Sequence, residues 1–281
     1  MLSKHGISLN TKNKYIRRMQ IQQDLPTLPS MRIQYCSDLH LEFPINKKYM
    51  AANAIKPEGE ILLLAGDIIP FSMIDEVRDF FDFVADNFKH TYWVPGNHEY
   101  YRSDIAQRTG TFQENIRSNV TLLNNSIIEY PDVRLVCSTL WSAIDPAKAF
   151  VIQKSMADFH LIKNNGQKLS TDAYNGLHEA CRTFITSALQ TASPKATVVM
   201  SHHIPTAFHY PEKYRYSELN SAFATELFDL IESTSARYWI YGHSHAIVPD
   251  FMIGNTILTS NQLGYVEYGE HLDYGTLTID V

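Results

Sequence analysis

Short apolar runs recur along the chain, most of them closed by a turn that carries Gly, Asp or His, and they alternate with stretches of helical period. Ile33–Cys36, Ile61–Ala65, Thr91–Val94, Val133–Cys137, Thr197–Met200 and Tyr238–Tyr241 are rich in β-branched and aromatic residues and predict strands. Ile61-Leu62-Leu63-Leu64-Ala65 is apolar throughout, the pattern of a strand covered on both faces. Asp75 to Phe88 predicts an amphipathic helix, with Val77, Phe80, Phe81 and Val84 on one side. Core packing, rather than an aromatic binding site, then accounts for Phe80, Phe81 and Phe83. A second helix is expected from Ser170/Thr171 to Ala192, opened by Thr171-Asp172 and closed before Pro194. A third is expected from Ser217 to Ser233. From Ala246 to Val281 the runs shorten, as at Thr256–Leu258 and Thr276–Ile279, and predict a meander. No repeat or linker divides residues 31–281, so one α/β domain is expected.

Composition changes this picture little. The chain has 281 residues, 44% hydrophobic and 19% charged, as in an ordinary globular protein that buries a core. Its net charge of −6 argues against a nucleic-acid partner. No apolar stretch approaches the length of a membrane span. Cys36, Cys137 and Cys181 are odd in number, contain no Cys-x-x-Cys and lie among apolar residues. They read as buried thiols of a cytoplasmic protein. Met1 to Ser30 carry Lys4, Lys12, Lys14, Arg17 and Arg18 against Asp24 alone, without the apolar core of a secretory signal. A flexible tail is expected there in preference to a transit peptide, with the catalytic domain beginning at Met31.

The chemistry lies in five short segments: Ser37-Asp38-Leu39-His40, Gly66-Asp67, Gly96-Asn97-His98-Glu99, Ser201-His202-His203 and Gly242-His243-Ser244-His245. Almost every one directly follows a predicted strand. In an α/β sheet the ends of the strands gather loops into one place, so residues two hundred positions apart can meet there. Imidazole and carboxylate are ligands for divalent transition metals. Asp38 and His40, like His243 and His245, are two apart, and on extended backbone each pair faces one cavity. Gly66 and Gly96 permit close approach of backbone to an ion or phosphate. There are enough ligands for two ions, with Asp67 available to both. Two-ion sites cleave phosphoesters.

The series Asp-x-His, Gly-Asp, Gly-Asn-His-Glu, His, Gly-His-x-His resembles the calcineurin-like metallophosphoesterase superfamily, from Met31 to about Asn261. The resemblance implies a two-sheet β-sandwich flanked by helices, with the metals at one edge. It implies one ion on Asp38, His40, Asp67 and His245, and a second on Asp67, Asn97, His202 and His243. A bridging hydroxide would attack phosphorus, and His98 would bind no metal but donate a proton to the leaving group. His202, rather than His203, is the expected ligand. The two divalent ions could be Mn, Fe, Zn or Co. Glu99-Tyr100-Tyr101, Thr139-Leu140-Trp141, Met156-Ala157-Asp158-Phe159 and Asn220-x-Ala222-Phe223 are similar to segments of small bacterial-type phosphoesterases.

The expected function is therefore metal-dependent hydrolysis of a small phosphorylated molecule, monoester or diester. The alternatives are a nucleotide pyrophosphate hydrolase of the same superfamily and a non-catalytic metal-binding scaffold. His5, His90 and His271 read as surface or tail residues. His160 and His209 lie in loops that could border the site, while His178 could face either the site or solvent. Trp141 reads as core and Arg102 as solvated. Tyr210, Tyr214, Arg215 and Tyr216 form a candidate lid or specificity loop.

Overall fold

The computed structural model describes Met31–Val281, and the expected tail at residues 1–30 lies outside the described residues. The chain runs β1 (Arg32–Cys36), α1 (Pro44–Ala52), β2 (Ile61–Ala65), α2 (Arg78–Asn87), β3 (His90–Val94), β4 (Phe112–Arg117), β5 (Val120–Asn124), β6 (Ser126–Glu129) and β7 (Val133–Ser138). It continues through α3 (Ala149–Ser155), α4 (Asp158–Leu161), the two-residue strands β8 (Lys163–Asn164) and β9 (Gln167–Lys168), α5 (Thr171–Gln190) and β10 (Ala196–Ser201). It closes with α6 (Phe228–Glu232), β11 (Ala236–Tyr241), β12 (Phe251–Ile253), β13 (Thr256–Ser260) and β14 (Leu277–Asp280).

Twelve of these strands form two six-stranded sheets, in the orders β14-β1-β2-β3-β5-β4 and β12-β13-β11-β10-β7-β6. In each sheet four parallel strands lie inside two antiparallel edge strands. The sheets pack face to face. Ile61, Leu63 and Ala65 of β2 point inward with Tyr35 and Val94 and meet Leu135, Val198, Met200 and Ile240 of the other sheet. Leu62 and Leu64 point the other way, onto Phe81 and Val84 of α2. This alternation explains why β2 is apolar at every position. Val199 and Trp239 cover the outer face of the second sheet, beneath Ile185 of α5 and Ile231 of α6. The expected fold, a helix-flanked β-sandwich, is borne out. Among the described residues no helix is long and apolar enough to cross a membrane.

All six expected strands form, most of them one or two residues longer than expected. The helix at Ser170/Thr171 also forms, capped by the Ser170 hydroxyl, which accepts from Ala173 N–H at 3.2 Å. Three expectations need correction. The helix of Asp75–Phe88 begins as a 3₁₀ segment, Phe71–Val77, and becomes α-helical only at Arg78. The helix expected over Ser217–Ser233 is reduced to α6, because Ile204 holds residues 223–225 in an extended bridge. Ile204 N–H donates to Phe223 O and Thr225 N–H donates to Ile204 O. The Asn220 amide also turns back to the carbonyl of Tyr214 at 2.8 Å. The C-terminal stretch is no meander: β13 lies parallel to β11, and β14 crosses to the first sheet, antiparallel to β1.

Leu63 is fully buried between the sheets. Leu63→Ala should cost about 2–5 kcal/mol in denaturant unfolding, and Leu63→Met less than about 1.5 kcal/mol. A loss below about 1 kcal/mol for Leu63→Ala would contradict the packing described.

Candidate metal centre

Five parallel strands end at the same edge of the sandwich, and each delivers part of one cluster. β1 runs into Asp38 and His40, β2 into Asp67, β3 into Asn97 and His98, β10 into His202, and β11 into His243 and His245. The loops are tied to one another. Asp38 N–H donates to Gly66 O and His40 N–H to Asp67 O, each at 2.9 Å. His98 N–H donates to Asp67 Oδ1 at 2.9 Å, and His243 N–H donates to the Asp38 carboxylate at 3.1 Å. Asp38, His40, Asp67, His243 and His245 all have positive φ, between 47° and 77°. That is the left-handed region, which costs a residue with a side chain about 1–3 kcal/mol. The paired ligands therefore do not converge through extended backbone, as the two-residue spacing suggested. Each turns back sharply off its strand.

Close approach explains Gly96. A Cβ there would strike the Asp67 carboxylate and lie 2.7 Å from His202 Nε2.

The side chains gather as overlapping sets. Asp38, His40, Asp67 and His245 form one and Asp67, His202 and His243 another, while His40, Glu42 and His98 form a third, with the ligand atoms of each set within 4.8 Å of one another. Asp67 Oδ2 lies 3.7 Å from His40 Nε2 and 3.5 Å from His202 Nε2. Asn97 Oδ1 lies 3.2 Å from His202 Nε2. All seven expected ligands are thus brought together. His98 stands beside the first set, with its Nδ1 turned to Glu42. His203 does not enter either set: its Nε2 faces the Tyr174 hydroxyl at 3.1 Å, and its ring lies against that of His243 at 4.1 Å.

The surrounding groups show that the cluster fits divalent cations. His40 Nδ1 faces Glu42 Oε1 at 3.1 Å, His202 Nδ1 faces Ala65 O at 2.9 Å, and His245 Nδ1 faces Glu270 Oε2 at 2.9 Å. Such outer partners orient imidazole ligands and leave the opposite nitrogen as a bare lone pair. Yet His40 Nε2 and His245 Nε2 then face each other at 2.9 Å. Two lone pairs at that distance repel unless a cation or a proton lies between them. The carboxylates make the same demand. Burial alone would lower the His202 imidazole, but Asp67, Asp38 and Glu99 carry it up to about 9. His245 is likewise desolvated, and Asp38 and Glu270 carry it up to about 10.

Four contributors carried no assigned role in the sequence. Glu42 Oε1 accepts from both His40 and His98, the latter at 2.8 Å, and these bonds overcome burial to hold its carboxyl at about 2. Its signal was a plain His-x-Glu. Glu270 comes from a distant turn and could not be placed without the fold. Asp158 accepts from Asn97 Nδ2 at 2.9 Å and from the Tyr101 hydroxyl at 2.8 Å, which turns the Asn97 carbonyl toward His202. Glu99 accepts from the N–H groups of Asp67, Ile68 and Gly96 and from Trp93 Nε1. Burial and the Asp67 charge nevertheless push its carboxyl up to about 8.

Of the remaining residues, His178 is buried against Trp141 O, and Trp141 is core. His160 lies on the surface and bonds Lys154 O, while His209 borders a neighbouring hollow and not this one. Tyr210 and Tyr214 do line the cleft over the cluster, whereas Tyr216 is exposed.

The family model described as calcineurin-like phosphoesterase matches residues 31–246. An uncharacterized protein of Acanthamoeba polyphaga mimivirus is 33% identical over 263 residues, covering 84% of this chain and 92% of its own length. A phosphopantetheinyl hydrolase from Mycobacterium tuberculosis shares the fold at a TM-score of 0.66 and 16% identity, over 90% of this chain and 96% of that one.

Metal ligation needs neutral imidazole, so binding must expel the protons held by His202 and His245. Both folded values lie above neutral pH, and metal affinity should rise with pH toward them. Titrating Mn²⁺ into metal-free protein at pH 7.5 should release about two protons, read from heats in buffers of different ionisation enthalpy. Identical heats in all buffers would contradict this electrostatic account.

Proposed function

The chain belongs to the calcineurin-like phosphoesterase family, and from that premise we propose that residues 31–281 form a catalytic domain that hydrolyses a small phosphorylated molecule. Metal-dependent phosphoester hydrolysis is the chemistry of the family. Asp38, His40, Asp67 and His245 would hold one divalent cation, and Asp67, Asn97, His202 and His243 the other. The observation that carries this is the position of Asp67 Oδ2, between His40 Nε2 and His202 Nε2. When bound, two such ions supply Lewis-acid polarisation of the phosphoryl oxygens and lower the pKa of water to the neutral range.

The chain's own residues do the rest. Asp158 turns the Asn97 amide so that its oxygen faces inward. Glu42 and Glu270 fix the His40 and His245 rings. His98 is packed on the Tyr101 ring at 4.1 Å and keeps Nε2 free of strong partners, with the Tyr265 hydroxyl 3.5 Å away. Burial lowers its affinity for protons, but Asp67, Glu42 and Asp158 outweigh burial and raise it. We place His98 as the donor of an Nε2 proton to the departing oxygen, a role supported by its Nδ1 contact with Glu42 and its Nε2 turned away from that contact. A scaffold would have no need of a buried imidazole oriented by Glu42 beside the Asp67 sets. The cleft volume of about 360 Å³ suits a small molecule. Three buried, unpaired cysteines support a cytoplasmic setting.

His98→Ala should keep two metals per chain by elemental analysis and lose about 10²–10⁴-fold in kcat on an ester with an alkyl alcohol as leaving group, and far less on p-nitrophenyl phosphate, whose nitrophenolate departs without a proton. Asp67→Ala should lose both metals. Metal loss from His98→Ala would reassign His98 as a ligand.

A further inference from the structure

Two hollows meet at His98. One, of about 360 Å³, has Asp67, Asn97, His243 and His245 among its lining residues, with Tyr214 and Phe223 alongside. The other, of about 380 Å³, is bordered by Glu42, Phe43 and Arg102 and contains none of the seven proposed ligands. His98, Tyr101, Ala157 and Tyr265 line both. Resting on the phosphoesterase reading above, we propose that this double cleft selects a phosphodiester. The leaving alcohol would occupy the Phe43–Arg102 lobe, and an uncharged, ring-bearing retained group the Tyr214–Phe223 lobe.

The direction of departure follows from in-line displacement. The proposed ligands line one hollow, so the leaving group extends away from them, past His98, into the hollow that holds none. A monoester has only that one organic group. It would leave the larger part of the ligand-lined hollow to water, although that hollow holds far more than a phosphoryl group. A diester fills both. The reaction balances: the water oxygen ends on phosphorus, and the bond from phosphorus to the leaving oxygen breaks. One water proton reaches the alcohol by way of His98, and the other is shed by the new monoester.

The walls select the retained group. Among the described residues no Lys or Arg lines the ligand-floored lobe, whereas Asp158 and Glu270 do. Lys213 packs its ammonium over the Tyr214 ring at 4.6 Å and points to the His245 carbonyl at 3.5 Å. A second phosphate in this lobe would face carboxylates, which disfavours a pyrophosphate substrate. Phe223, stacked on the His243 ring at 4.6 Å, and Tyr214 instead line this lobe with aromatic side chains against which a planar group would pack. Across His98, Arg102 is exposed and makes no ion pair among the described residues. Phe43, 40% exposed, offers apolar surface beside it.

The test uses the full chain, stripped of metal and resupplied with Mn²⁺, and compares bis(p-nitrophenyl) phosphate with p-nitrophenyl phosphate. The diester should have the higher kcat/KM. Tyr214→Ala should lower the ratio of diester to monoester kcat/KM about tenfold, because the monoester has nothing to place there. Phe43→Ala should lower both substrates in parallel, since both release nitrophenol through its lobe. A preference for the monoester, or an unchanged ratio in Tyr214→Ala, would overturn the diester inference and leave the phosphoesterase reading standing. No hydrolysis of either ester by protein with both metals bound would overturn the phosphoesterase reading, and this inference with it.

Discussion

Asp38 and Asp67 are buried together at one edge of the sandwich with Glu99 beside them, and the rest of the site answers to that concentration of acidic groups. An unpaired carboxylate in such a place is very costly. Glu99 is met by four N–H donors from the turns after β2 and β3 and from Trp93, so this one buried carboxyl ties those loops together. Asp67 and Asp38 are met partly by backbone N–H groups and partly by imidazoles drawn toward the charged form. What these imidazoles supply as protons, two divalent cations would supply more fully, which is why the donor set and the electrostatics point to the same occupants.

Such a cluster can be held only by a stiff frame. Four parallel strands at the centre of each sheet carry their carboxyl ends to the same edge, and fully buried packing between the sheets fixes their spacing. The strain of five left-handed residues of the proposed metal centre, about 1–3 kcal/mol apiece, is tolerated because the neighbouring loops lock them by backbone hydrogen bonds. Rigidity, strain and proton chemistry are thus consequences of one arrangement.

Much of this was legible in the sequence, and for a physical reason. The ligand segments are local, each a few residues beside an apolar run, so residue type and position already placed Asp38, His40, Asp67, Asn97, His202, His243 and His245 at strand ends. Groups that act across the fold left weaker traces. Glu42 sits two residues from His40, but its contact with His98 depends on how two loops pack. Asp158 and Glu270 reach Asn97 and His245 from segments 61 and 25 residues away, and no periodicity encodes that. The helix expected over Ser217–Ser233 failed because tertiary hydrogen bonds to Ile204 overrode local propensity. The crossing of β14 to the first sheet is likewise a pairing decision made between distant segments.

The most direct test is anomalous X-ray diffraction from crystals of the Mn²⁺-loaded protein. Two peaks are expected about 3.5–4 Å apart, with Asp67 between them. Asp38, His40 and His245 should surround one peak, and Asn97, His202 and His243 the other, with His98 bound to neither. A single peak, peaks outside these residues, or a peak coordinated by His98 would contradict this assignment.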